Sequence, residues 1–437
     1  MLLRTRLGVM MFLEYAIWGA WAPILGLDLT NLKFSGMQIG WIYSALPLAC
    51  MVSPFIGGQF ADRIMPTQYF LGLVHLAGAA FMWWMSSQTM FMPTLYLMLA
   101  WSLMFAPTLA LTNSICFIHL KNSERSFPVI RTMGTIGWIV AGTFLTMWRL
   151  SVDPAAPLPF PAWVPTALLL PAWEGLKHLH AAYPLPGRID SLVLTAIFSG
   201  LLGIFCFILP NTPPAKKAKN PWAILEALKL FGSPKMAFFL VLCMLATTEF
   251  QFFYMLSAPY LNAVGVTGAM VPVAKTVSQW CEILVLAVAL PIILPRLGVR
   301  WSLFIGLVAW PLRYLIFALQ KPLWLVIASL GLHGFGFAFY FIVAFMYVDK
   351  VVTKDIKASA QGLITFATYG FGMFLGSLFC GWIRDHYTTE VMVNGVATAV
   401  TDWKSVFIVP TIITSVAAVA HLLWFREEKP MARWAKG

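Results

Sequence analysis

Residues 190–210 read DSLVLTAIFSGLLGIFCFILP, residues 211–235 read NTPPAKKAKNPWAILEALKLFGSPK, and residues 236–261 read MAFFLVLCMLATTEFQFFYMLSAPYL. A helix rises about 1.5 Å per residue, so about 20 apolar residues cross a hydrocarbon core about 30 Å thick. The outer segments meet that requirement. The middle one is polar and basic, with a short amphipathic piece from Trp222 to Leu230. Working outward, comparable apolar runs recur at 8–28, 37–61, 68–88, 93–118 and 129–148 before it, and at 270–293, 300–319, 322–347, 358–383 and 403–425 after it. The expected fold is an all-α integral membrane protein with twelve transmembrane helices in two six-helix pseudo-repeats. The halves are 1–210 and 236–437, joined by a cytoplasmic linker at 211–235.

Composition agrees. Of 437 residues, 60% are hydrophobic and 11% charged, with a mean hydropathy of +0.80, which calls for lipid as solvent. No stretch outside the membrane is long enough for a conventional soluble domain. The net charge of +12 does not point to nucleic acid, because the basic residues sit in short loops rather than in a patch interleaved with aromatics. They follow the positive-inside rule instead. With the amino terminus inside, the cytoplasmic loops gather most Lys and Arg, and only Lys33, Arg149, Lys177, Arg188, Lys321, Arg384 and Lys404 fall outside. Both termini are thereby expected in the cytoplasm, and the chain is expected as a multi-pass membrane protein of one subunit.

The first apolar run starts basic but has no small-residue cleavage site and carries Glu14, so it reads as an uncleaved helix. Cys50, Cys116, Cys206, Cys243, Cys281 and Cys380 lie within apolar runs at irregular spacing, which suits small core residues rather than disulfides or metal ligands. Neither a metal nor a cofactor is expected. Intramembrane enzyme chemistry is disfavoured, since no HExxH, GxSxG or paired-Asp motif occurs. The segment 149–189, rich in Pro and Trp, reads as an interfacial loop with Trp at headgroup level, or as a lid over the outer mouth.

An ionisable side chain at membrane depth costs at least about 2.5 kcal/mol, so each needs a partner or a task. The candidates are Glu14, Arg131, Glu249, Lys275, Glu282, Arg313 and His333. Gln279 and Glu282 stand three residues apart, which puts an amide and a carboxylate on one helix face, with Lys275 one turn from Gln279. That face suits a neutral polar ligand, and the carboxylate can trade a proton; a structural pair of Glu282 with Lys275 or Arg131 is the alternative. Arg131, Thr135 and Trp138 form one stripe, and a buried Arg paired only for packing is the other reading. Glu249, Gln251 and Tyr254 share the 236–261 run. His333, Phe337 and Phe341 recur at helical spacing as a platform for a planar ring, or as packing. Glu14 and Glu249 occupy similar places in the first helix of each half. Histidine titrates near neutral pH, so His333 is a candidate proton carrier or an inert hydrogen-bonded residue.

Two halves of six helices joined by a basic loop resemble the major facilitator superfamily, whose halves rock around a midplane site. Gly58-Gln59-Phe60-Ala61-Asp62-Arg63 and Arg296-Leu297-Gly298-Val299-Arg300 resemble that superfamily's charged cytoplasmic turn, at equivalent places in the halves. More specific runs follow. Phe12-Leu13-Glu14 with Trp18-Gly19-Ala20-Trp21, Pro107-Thr108-Leu109 with Asn113, Phe127-Pro128-Val129-Ile130-Arg131-Thr132-Met133-Gly134-Thr135-Ile136-Gly137-Trp138, Ser278-Gln279-Trp280-Cys281-Glu282, Ala309-Trp310 with Arg313, and Ala358-Ser359-Ala360-Gln361-Gly362 together resemble the bacterial nucleoside:proton symporters.

The resemblance implies nucleoside uptake driven by the proton gradient. It places Arg131, Thr135, Trp138, Gln251, Gln279, Glu282 and Phe337 along the nucleoside site, with Arg131, Gln251, Gln279 and Glu282 hydrogen-bonding and the aromatics stacking. Tyr254 stands where the pattern has an asparagine, and His333 where it has a tyrosine. Ala338 replaces an acidic residue, and Glu14 an amide. The proton is therefore expected on Glu282, with Glu14 or His333. A carrier of the same fold for a sugar or nucleobase, a uniporter, and a non-transporting sensor are the competing functions.

Overall fold

The computed structural model describes residues 3–121, 123–153, 155, 166–214, 233–352, 357–393 and 396–427, with the backbone alone for 54–63, 123–125, 166–169, 357–359, 393 and 396. The amphipathic piece of the linker and the side chains of the 58–63 turn lie outside the described residues. The helices are α1 (Leu3–Asn31), α2 (Gly36–Arg63), α3 (Thr67–Met85), α4 (Phe91–His119), α5 (Ser123–Leu150), α6 (Thr166–Ala182), α7 (Asp190–Cys206) and α8 (Pro234–Ala263). Next comes Val271–Leu319, a run of 49 residues. At about 1.5 Å per residue it would be more than twice a bilayer core in length. It turns back at Gly298, whose φ of 73° and ψ of −179° are outside helical space, so it is two helices, α9 (271–297) and α10 (299–319). Then follow α11 (Leu323–Val351), α12 (Ala360–His386), the hairpin strands β1 (Thr388–Val393) and β2 (Val396–Thr401), and α13 (Trp403–Trp424).

Among the described residues, eight of these runs are long and apolar enough to cross a membrane. The outer faces of the helices carry exposed Trp84, Ile204, Leu319 and Val416, as lipid permits. α1 packs on α5 and α7, α3 on α7, and α2 on α4; later in the chain α8 packs on α12, α9 on α11, and α10 on α13. Among the described residues, α2 with α12 and α8, α5 with α9, and the end of α1 with the end of α8 join the two sets.

The hydrogen bonds across these contacts lie where α1 ends. Asp385 accepts from the Gly36 and Met37 N–H groups, the Val273 N–H donates to Thr146 Oγ1 at 3.0 Å, and Arg149 Nη1 reaches the Gly268 carbonyl at 3.4 Å. Arg149 also donates to Asp28 and Asp190, so one guanidinium ties α1, α5 and α7. At the opposite end, Arg300 donates to the Leu422 carbonyl at 2.6 Å, bracing α10 against α13 as expected of a charged turn.

The 149–189 segment contains a docked helix rather than a surface loop. His180 of α6 stacks on Trp148 with centroids 4.1 Å apart, and Trp173 is buried.

Candidate functional site

Four π-helical turns interrupt the later helices: Phe252–Leu256, Val285–Ala289, Phe337–Ile342 and Phe366–Gly372. Each widens the helix by one residue and re-aims the side chains beside it, and such turns favour functional sites. Gln251 and Tyr254, Glu282, and Phe337 all lie in or beside them.

The site has two walls. On the α5 wall, Trp138 is buried and lies 5.6 Å from the Trp18 ring, while the Arg131 guanidinium sits 3.8 Å over the Tyr15 ring. α1 thus supplies an aromatic backing that holds Arg131 and Trp138 in place. Thr135 is half-buried between them, and its hydroxyl bonds to no described residue.

The opposite wall comes from α8, α9 and α11. Tyr254 faces Trp138 across the gap at 6.1 Å and meets His333 edge-on at 6.0 Å. His333 is buried, stacks on Phe253 at 4.4 Å and continues to Phe337 at 6.2 Å. Its Nδ1 faces Arg313 Nη1 at 3.5 Å; a guanidinium only donates, so Nδ1 stands as an acceptor and the ring is neutral.

Gln279 and Glu282 are buried on α9. Glu282 is near enough to Arg131, Tyr15, Tyr254 and Tyr369 for their electrostatic fields to overlap, so residues from both walls meet around it. Among the described residues Glu282 has no ion-pair partner. Lys275 is engaged elsewhere, donating to the Phe253 carbonyl at 2.9 Å and to Ser257 Oγ at 2.6 Å. The structural pair of Glu282 with Lys275 or Arg131 is therefore not formed. Close packing of α11 fixes the carboxylate's helix: a Cβ at Gly334 would come within 2.6 Å of the Glu282 backbone nitrogen. Gln251 donates weakly to the Met373 carbonyl at 3.4 Å, and its Oε1 is buried without a partner.

Two buried carboxylates flank this gap. Glu249 lies 3.8 Å from Arg313, beneath the His333 wall. Glu14 lies within α1, where Thr108 Oγ1 reaches its Oε1 at 2.7 Å and His75 Nε2 its Oε2 at 3.1 Å. His75 is absent from the residues read out of the sequence, because a single histidine in the apolar run LGLVHLAG carries no spacing signal. Tyr15, Phe253 and Tyr369 likewise stand in apolar runs whose spacing does not single them out. A cavity of about 580 Å³ opens between α1 and α5 near Arg4 and Met133, and the residues of the two walls do not line it.

The sequence profile of the family described as "Nucleoside H+ symporter" matches residues 1–167 and 176–430. The chain belongs to the nucleoside H+ symporter family. The YegT protein of Escherichia coli (strain K12) is 34% identical over 435 residues, covering 97% of this chain and 94% of that protein. The nucleoside permease NupG of the same strain is 30% identical over 445 residues, covering 97% of this chain and 96% of its own. The crystal structure of the nucleoside transporter NupG superposes with a TM-score of 0.78 at 28% identity, covering 98% of this chain and all of that one. Nucleoside H+ symporters are multi-pass membrane transporters and not enzymes. Their fold is that of the major facilitator superfamily.

Proposed function

We propose that this protein imports nucleosides together with protons across a bacterial inner membrane, by alternating access of two six-helix halves. The halves are 1–210 and 236–437, and the twelve crossings are α1–α5, α7 and α8–α13. The basic connection 211–235 and both termini are assigned to the cytoplasm, so the end joined by Asp385 and Arg149 faces outward and is closed. The protein is assigned as a monomer.

The observation that carries the reading is the pairing of the two walls. Trp138 and Tyr254 stand 6.1 Å apart, each backed by further rings, and Arg131 beside Trp138 acts electrostatically on Glu282 of the other wall. A nucleoside has a flat base and a hydroxyl-bearing ribose. Trp138, Tyr254, His333 and Phe337 supply ring faces for the base. Arg131, Thr135, Gln251, Gln279 and Glu282 supply donors and acceptors for the ribose and base edges. Glu282 and Glu14 are assigned to proton coupling. His333 has the arrangement of a wall residue, because its Nδ1 already accepts from Arg313.

The test is uptake of radiolabelled uridine and adenosine into proteoliposomes with and without an inward proton gradient, for wild type and Glu282→Gln. Gradient-stimulated uptake that the substitution abolishes supports the reading. Failure to take up either nucleoside under any gradient refutes it.

A further inference from the structure

The halves carry matching buried carboxylates with unlike partners. Glu14 on α1 meets His75 on α3 and Thr108 on α4; Glu249 on α8 meets Arg313 on α10. Arginine keeps its proton under all physiological conditions, whereas histidine exchanges one near neutral pH. The second pair thus has one partner of permanent charge. The first has two ionisable partners, and all three side chains are buried at 0–2% exposure.

We propose that Glu14, His75 and Thr108 form a proton-binding site in the amino-terminal half, separate from the nucleoside site. This rests on the proton-coupled reading above. The hydroxyl of Thr108 provides the geometric reason. Its Oγ1 lies 2.7 Å from Glu14 Oε1 and 2.6 Å from the Phe105 carbonyl, yet it has one proton to give. With Glu14 ionised, Thr108 donates to the carboxylate. With Glu14 protonated, the acid donates to Thr108, which turns its own proton to Phe105. In both protonation states Glu14 Oε1 is hydrogen-bonded to Thr108, so neither state leaves that oxygen bare in the membrane.

The proton balance is explicit. With one proton shared, the pair is carboxylate and imidazolium, with no net charge. A second proton adds to Glu14 Oε1 and gives carboxylic acid and imidazolium, with a net charge of +1. His75 Nε2 and Glu14 Oε2 approach to 3.1 Å but are not aligned as a hydrogen bond, so charge attraction carries most of that contact. Protonating Glu14 removes it and releases this side-chain link between α1 and α3.

The other groups facing Glu14 are neutral thiol and phenol, Cys206 from α7 and Tyr15 from α1, with Arg131 of α5 behind the Tyr15 ring. The Phe105 edge closes over His75 at 6.2 Å, and Ser199 holds the His75 carbonyl at 2.8 Å. Tyr15 and Trp18, one and four residues beyond Glu14, carry Arg131 and Trp138. A shift of this part of α1 therefore reaches the nucleoside wall through two ring contacts.

The experiment has two arms on the full-length protein. In the first, infrared difference spectra are recorded without nucleoside between about pH 5 and pH 8, where histidine exchanges its proton. A carboxylic-acid band present in wild type, lost in Glu14→Gln and shifted in Thr108→Val, is expected; an unchanged band in both variants overturns the proposal. In the second, gradient-driven uridine accumulation is expected to fall about tenfold or more in Glu14→Gln and His75→Gln, while uridine exchange without a gradient persists. Full accumulation in both variants, or loss of exchange along with it, overturns the proposal. Should wild type neither accumulate nor exchange uridine, the nucleoside reading falls and the infrared arm still decides the site.

Discussion

Asp385 caps the start of α2 from across the gap between the halves: its Oδ1 accepts from the Gly36 N–H at 2.5 Å and its Oδ2 from the Met37 N–H at 2.8 Å. A carboxylate at a helix start satisfies orphan N–H groups and complements the helix dipole, so this bond both caps and clamps. Gly36 makes the approach possible, since a Cβ there would sit 2.4 Å from the Gly381 carbonyl oxygen.

Gly36→Val should consequently wedge α2 from α12 and hold this end open, with Asp385→Ala acting more weakly through the loss of a cap worth about 0.5–2 kcal/mol. Spin labels at the exposed residues Lys33 and Glu390 read the separation. An increased distance in Gly36→Val, and a mixed distribution in Asp385→Ala, are expected; a wild-type distribution in the valine variant would refute the clamp.

Arg149 offers a second test at the same end. Its Nη2 lies 2.8 Å from Asp28 and 2.5 Å from Asp190, and Ser191 donates to the far oxygen of Asp28 at 2.6 Å. Removing one partner of a largely buried pair strands the other, at a cost of about 3 kcal/mol or more. Arg149→Ala is expected to lower the thermal midpoint in detergent by several degrees. Arg149→Lys should recover only part of it, because an ammonium cannot span both carboxylates with a planar fork. Equal midpoints for lysine and arginine would show that charge alone matters.

The membrane class and the α5 stripe were legible in the sequence because apolar run length and helical periodicity are local properties. Arg131, Thr135 and Trp138 share a face for the reason their spacing gives, and Gln279 and Glu282 likewise. What crosses between helices was not legible. His75 has no partner within reach along the chain; only the packing of α1 and α3 on α7, and of α3 on α4, brings it to Glu14. Lys275 is near Gln279 in sequence, yet it turns to the Phe253 carbonyl, because a buried ammonium takes the nearest acceptors it can saturate. The π-helical turns beside the site leave no compositional trace either. The β1–β2 hairpin is a different kind of omission: Asn394-Gly395 between alternating residues is a recognised hairpin signal that the hydropathy of the flanking helices obscures.

The two walls of the site make separable contributions to nucleoside binding. Stacking of a base on an aromatic ring is worth about 1–3 kcal/mol, and a neutral hydrogen bond about 0.5–1.5 kcal/mol. Trp138→Ala should accordingly weaken uridine binding more than Gln279→Ala, by roughly tenfold to a hundredfold against a few-fold. Equilibrium binding to purified protein measures both, and the reverse order would remove Trp138 from the stacking wall.

Position 338 decides whether proton coupling has moved. Ala338 is fully buried on α11 between Phe337 and Phe339, within a π-helical turn. A carboxylate placed there would be a buried charge, and left unpaired it would cost about 3 kcal/mol or more. Ala338→Asp is therefore expected to lower the thermal midpoint, and to leave gradient-driven uridine accumulation unrestored when combined with Glu14→Gln. Purified protein and proteoliposome uptake measure the two effects. A stable Ala338→Asp variant that rescues Glu14→Gln would mean α11 still holds the coupling position, with Glu14 serving only to hold His75 and Thr108 in place.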